Sequence, residues 1–126
     1  DLGGYVAEEL KFGTHYPGAS DDLFHASAKA QNMVLLFGMS DVIGPISFME
    51  YDDASQTGKI NILMYGNDIA YKASCEIQKI LNDAEERAKD VLIKNKDILE
   101  QIAQELIEKH ELVEEELSLI FSRINL

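Results

Sequence analysis

Apolar and small residues recur at helical spacing along one stretch of this chain, at Ile69, Ala73, Ile77, Ile80, Ala84, Ala88 and Val91. A stripe of that period occupies one face of an α-helix and cannot be a strand, whose faces alternate every second residue. A helix this long with one apolar face must lie against other elements. The spacing predicts a start at Gly66-Asn67-Asp68, with Asn67 or Asp68 as cap, and an end near Lys94. Asp97 with Glu100 has the spacing of a capping-box variant and begins a further helix, whose face is Ile98, Leu99, Ile102, Ala103, Leu106 and Ile107. A last short helix spans about Val113 to Phe121. Short loops between helices of this kind describe a bundle.

The first half of the chain is less regular. A short helix is expected from about Leu2 to Phe12, ended by Gly13. Gly3 and Gly4 each cost a helix about 1 kcal/mol relative to Ala, so the pair marks either a close backbone approach or a frayed end. Residues 14–19 form a loop punctuated by Pro17-Gly18. A second helix is expected from about Asp21 to Phe37, with Ser20 as N-cap and Gly38 closing it. Met39 to Tyr65 is irregular, with Ile46-Ser47-Phe48 as a short strand, a polar mobile stretch from Asp52 to Lys59, and Ile60 to Tyr65 extended or paired. The fold class is mainly α: a helical bundle with an irregular central segment that could close as one short β-hairpin.

Composition restricts the function classes. With 11 Lys and Arg against 23 Asp and Glu, the net charge is -12. Nucleic acid and anionic membranes attract positive charge, so neither is an expected partner. Cys75 is the single cysteine; it excludes an intrachain disulfide, and its place in an amphipathic helix reads as a buried, inert thiol. No apolar run approaches about 18 residues, the length needed to span a membrane, and no signal peptide is seen. The opening at Asp1, directly into a helical pattern, reads as that of an excised fragment.

Asp21 and Asp22 are the leading candidates for chemistry. They fall in the first turn of the second helix, where the dipole favours negative charge with or without a metal. Glu8 and Glu9 supply carboxylates one loop away. Adjacent helical residues point about 100° apart, so one of each pair at most faces a common site. His15, His25 and His110 are not spaced four apart, so no pair can chelate zinc from one helix face. His15 reads as an exposed loop residue, His25 as a surface residue, and His110 as a complement to a helix C-terminus. Residues 53–64 imitate the front of a calcium loop, but Met64 stands where a bidentate Glu is required. No nucleophile elbow, Cys–His pair or phosphate-cradling loop is present.

Five blocks taken together resemble a known family. Gly3-Gly4-Tyr5-Val6-Ala7-Glu8-Glu9-Leu10 looks like the G-G-x-x-A-E-E-(L/I) segment of FtsH-type ATP-dependent zinc metalloproteases. Gly18-Ala19-Ser20-Asp21-Asp22-Leu23 is similar to their G-A-x-N-D-(L/I) segment. Asn32-Met33-Val34, Gly38-Met39-Ser40-Asp41 and Ile43-Gly44-Pro45 follow the pattern N-M-V, G-M-S and L-G-P. Ala84-Glu85-Glu86-Arg87-Ala88 resembles an A-x-x-R-A region, and Asn95-Lys96-Asp97-Ile98-Leu99 an N-x-x-x-L pattern.

The resemblance makes residues 1–126 the C-terminal part of such a peptidase domain, with 1–65 as its metal-site half and 66–126 as its helical bundle. In the family an upstream H-E-x-x-H helix binds zinc and carries the general base, and a downstream aspartate is the third ligand. By block position that aspartate is Asp22, since Asp21 stands where Asn is usual. Glu8 is given the role of orienting a ligand histidine. The implied activity is ATP-dependent hydrolysis of protein and peptide substrates, membrane proteins among them, with ATP used by a separate domain. The parent is implied to be a homo- or hetero-hexamer, anchored by N-terminal segments in a bacterial, mitochondrial or plastid membrane. This piece alone lacks H-E-x-x-H, so it is expected to be inactive and soluble, and to self-associate through apolar surface the rest of the domain would cover. The loop from Gly13 to Gly18 is short for the family, and Leu112-Val113 replaces the usual Ser or Thr cap of the last helix. Two alternatives stay open: a non-catalytic scaffold subunit of a mixed protease ring, and a plain helical interaction domain.

Overall fold

A computed structural model describes residues 1–125. Five helices and one hairpin follow in the order α1 (Leu2–Phe12), α2 (Ala19–Leu35), β1 (Met49–Asp52), β2 (Thr57–Ile60), α3 (Asn67–Lys94), α4 (Lys96–Lys109) and α5 (Glu114–Phe121). The mainly helical class and the short hairpin are both present. The chain divides into two compact units, Asp1–Glu85 and Glu86–Leu126.

In the first unit, α1 packs on α2. Gly13 ends α1 in the left-handed conformation (φ 70°), its N–H donating to Glu9 O. That closure needs a residue without Cβ strain. The Pro17-Gly18 turn coils directly into α2, through Ala19 N to Tyr16 O and Ser20 N to Pro17 O. The helix therefore starts earlier than its composition suggests. Gly18 takes the cap position, and Ser20, expected there, lies inside the helix with its hydroxyl donating back to Pro17 O at 2.6 Å. At the other end α2 stops at Leu35, because Leu36 and Phe37 both turn their N–H groups onto Asn32 O.

The core gathers Val34, Leu35, Phe48 and Ala73, with Ile43, Ile46, Ile62, Ile69, Ile77 and Ile80 packed against it. The expected stripe thus does bury its Ile69–Ile80 portion. Phe48 is fully buried and joins two segments through its backbone, its N–H donating to Leu35 O and its carbonyl accepting from Asn61 N. The strand expected at Ile46–Phe48 is not formed there: β1 begins just past it, at Met49. Phe48 spends its hydrogen bonds on α2 and on Asn61, so it is the anchor from which the hairpin springs. Asp52 to Lys59, expected as a mobile stretch, instead forms the hairpin's turn and second strand, with Asp52 paired to Thr57 and Met49 to Ile60. The Asp52 carboxylate accepts from the Ser55 hydroxyl (2.6 Å) and from Ala54 N–H, which hold it below the usual carboxylate pKa. Buried Ser40 donates to Glu76 on α3 at 2.8 Å, tying the irregular segment to that helix. Cys75, expected to be buried, is exposed. It lies two residues past fully buried Ala73, about 200° around the helix from it.

In the second unit α4 begins at Lys96, with Asn95 rather than Asp97 in the cap position. The expected apolar face of α4 is largely open: no α4 residue is buried, and Leu99, Leu106 and Ile107 are exposed. His110 closes α4 in the left-handed conformation (φ 62°). Val113 has no side-chain acceptor, so α5 keeps only half of a capping box, Glu116 accepting from Val113 N–H at 3.2 Å. No helix among the described residues is long and apolar enough to cross a membrane.

Candidate metal centre

Ala19, Ala26 and Ala30 are buried positions of α2. Asp22 falls three residues after Ala19 and four before Ala26, so it stands in that alanine stripe. Asp21 is rotated off it by about 100°. Burial follows: Asp22 is half-buried and Asp21 is exposed.

The Asp22 carboxylate lies against the backbone of α1 at Gly4. A Cβ built on Gly4 would stand 2.5 Å from Asp22 Oδ2 and 3.7 Å from its Cγ. Gly3, next to it, has nothing within 4 Å of the corresponding point. The two glycines therefore differ: Gly4 is a close approach and Gly3 faces open space.

Glu8 follows Gly4 by one turn on the same face of α1, while Glu9 lies about 100° away. Glu8 Oε2 accepts from Tyr16 N–H at 3.0 Å. It therefore holds the loop that leads into α2. The rings of Tyr5 and His15 stack at 3.8 Å and 11°, a second tie between α1 and that loop. Lys29 on α2 and Asp1 form an ion pair at 2.6 Å. His25 is exposed, its ring edge-on to Phe24.

Among the described residues, no group of three or more His, Cys, Asp or Glu side chains could hold a metal ion. A catalytic zinc takes three protein ligands. What these residues offer is one carboxylate, carried on the first turn of a packed helix in a space that a side chain at Gly4 would fill. That fits one ligand of a zinc site and no more.

Two of these arrangements had a signal in the sequence. The glycine pair pointed to close approach without saying which glycine or to what. The Asp21-Asp22 pair showed that at most one of the two acids could face a common site, without saying which surface it would meet. The loop ties through Tyr16 N–H and the Tyr5–His15 stack had none, because they depend on how the loop folds back.

A segment of peptidase domain is the class that these features and the comparisons with known proteins define. The model of Peptidase family M41 matches residues 1–120, and the chain belongs to that family. It is 42% identical over 113 residues to the ATP-dependent zinc metalloprotease FtsH of Bacillus subtilis, covering 84% of this chain and 17% of that protein. It is 35% identical over 123 residues to the FtsH of Thermotoga maritima, covering 96% and 20%. Against the FtsH of Kosmotoga olearia it is 38% identical over 119 residues, covering 93% and 18%. The chain spans between 17% and 20% of the length of these curated relatives.

Proposed function

We propose that this chain is the C-terminal part of the peptidase domain of an ATP-dependent zinc metalloendopeptidase, and that its Asp22 is one of the ligands of the zinc. The observation that carries the reading is the Asp22 carboxylate set in the alanine stripe of α2 against Gly4, while the neighbouring Asp21 is exposed. A metal ligand gains from being held by packed elements rather than by a mobile loop.

Each residue has a defined task under this reading. Asp22 presents a hard oxygen from the first turn of α2. Gly4 leaves the space in which that oxygen sits. Glu8, by accepting from Tyr16 N–H, holds the loop from which α2 starts; its proposed action on a ligand histidine would use the rest of the same carboxylate. The remaining ligands and the general base belong to an H-E-x-x-H helix outside residues 1–126. When bound, zinc supplies polarisation of the scissile carbonyl and activation of the attacking water. Residues 1–126 alone bind zinc weakly and hydrolyse nothing. The parent acts on protein substrates, uses ATP in a separate domain, assembles as a hexameric ring and is anchored in a membrane by segments outside this stretch. The names of the relatives above support ATP-dependent, zinc-dependent proteolysis; the ring and the anchor are what the family resemblance implies.

The experiment compares Asp22→Ala with Asp21→Ala in the intact parent, with zinc content and affinity as readout. The expected outcome is loss of tight zinc binding in the first and retention in the second. Unchanged affinity in Asp22→Ala removes the ligand assignment.

A further inference from the structure

Every other glycine of this chain meets open space or ordinary contact at its Cβ position, except Gly58 against the flexible Met49 side chain. Gly4 alone would meet a carboxylate, Asp22 Oδ2 at 2.5 Å. Carbon and oxygen cannot remain at that distance, so one group must move. The atom in the way is the end of a side chain, not backbone, and the carboxylate can swing aside with α1 and α2 still packed. A side chain at position 4 would therefore be accommodated at the expense of where Asp22 points.

We propose that Gly4 is a positioning residue for the metal centre: the missing Cβ on α1 sets the direction of the Asp22 carboxylate. This rests on the ligand reading of Asp22 given above. It also accounts for a glycine inside a helix, where Ala would be the better helix former. Gly3 is its internal control, since it has the same residue type on the same turn with nothing nearby.

The test uses the intact parent protein with Gly3→Ala, Gly4→Ala and Asp22→Ala, singly, and the Gly4→Ala/Asp22→Ala double variant. Zinc dissociation constants and the unfolding temperature of the metal-free protein are measured for each. Gly3→Ala should keep its zinc affinity. Gly4→Ala should unfold no more easily than wild type yet bind zinc about 10- to 100-fold more weakly, as when the support of a metal ligand is lost. With cobalt in place of zinc, its absorption spectrum should shift, because the ligand geometry has changed. In the Asp22→Ala background, Gly4→Ala should have no further effect on zinc, which is the signature of action through Asp22.

The outcomes separate the two ideas. If Asp22→Ala binds zinc like wild type, the ligand assignment falls. If Asp22→Ala loses zinc while Gly4→Ala behaves like Gly3→Ala, the ligand assignment stands and the positioning role of Gly4 is overturned. If Gly4→Ala weakens zinc only in proportion to a lowered unfolding temperature, or weakens it equally without Asp22, its role is structural and the proposal also fails.

Discussion

The side chain of Asn95 makes three hydrogen bonds to backbone in the second unit. It is buried, and it occupies the junction between α3 and α4. Its amide nitrogen donates to Val91 O at 2.8 Å and to Asn125 O, while its Oδ1 accepts from Asn125 N–H at 2.7 Å. One side chain thus closes a helix end and pairs with the backbone near the C-terminus. The family pattern contains this asparagine, but nothing in its spacing points thirty residues ahead. Asn95→Ala leaves those backbone groups without their partner, a cost of about 1–3 kcal/mol. Chemical denaturation of the variant should show that loss, and amide exchange at Asn125 should become faster. The same scale governs the candidate site: Asp21 and Asp22 are chemically identical, and a rotation of about 100° along the helix puts only the second against Gly4.

At the scale of elements, the helices formed where apolar periodicity placed them, and their ends were set by neighbours. The start of α2 moved because the Pro17-Gly18 turn already carries helical hydrogen bonds. In the second unit, α4 is joined to α5 by an ion pair, Lys109 Nζ to Glu116 Oε1 at 2.8 Å. That hydrogen bond, with the attraction between the charges, raises Lys109 above its ordinary 10.5. It also holds Glu116 below its ordinary 4.5, aided by Val113 N–H. A depressed carboxylate stabilises the fold above its unfolded value and loses that contribution as pH falls through the folded one. The raised lysine does the reverse, contributing below 10.5 and losing its effect as pH rises through the higher folded value. The pair is therefore intact across the neutral range. Comparing wild type with Glu116→Gln by denaturant unfolding should give a small difference at pH 7 that vanishes well below pH 4.5. Both groups are solvent-exposed, so added salt should shrink the difference as well.

Across the whole molecule, burial is uneven. The buried apolar residues among those described fall in the first unit, apart from Ile120. The second unit relies on half-buried positions and on polar ties such as Asn95 and Lys109–Glu116. Segments with few buried apolar contacts open at lower free energy than a packed core. Native-state hydrogen exchange should therefore protect the amides of Val34, Leu35 and Ala73 longer than those in the middle of α4. Equal protection throughout would show that the two units unfold as one. The exposed apolar residues of α4, with Leu99, Leu106 and Ile107 open to solvent, also show the limit of reading a core from periodicity. A stripe states which face is apolar, not whether anything covers it.

The sequence by itself determined the helical class, the number of helices, most of their bounds, and the family. These follow from hydrophobic period, turn residues and ordered motifs, all of which are properties of neighbouring positions along the chain. Tertiary structure alone decided that Gly4 and not Gly3 meets Asp22, that Glu8 holds the loop through Tyr16, that Cys75 is exposed, and that Asn95 reaches Asn125. Those outcomes depend on how closely one helix approaches another and on where a loop folds back. Such distances arise only when separate segments pack, and spacing along the chain does not encode them.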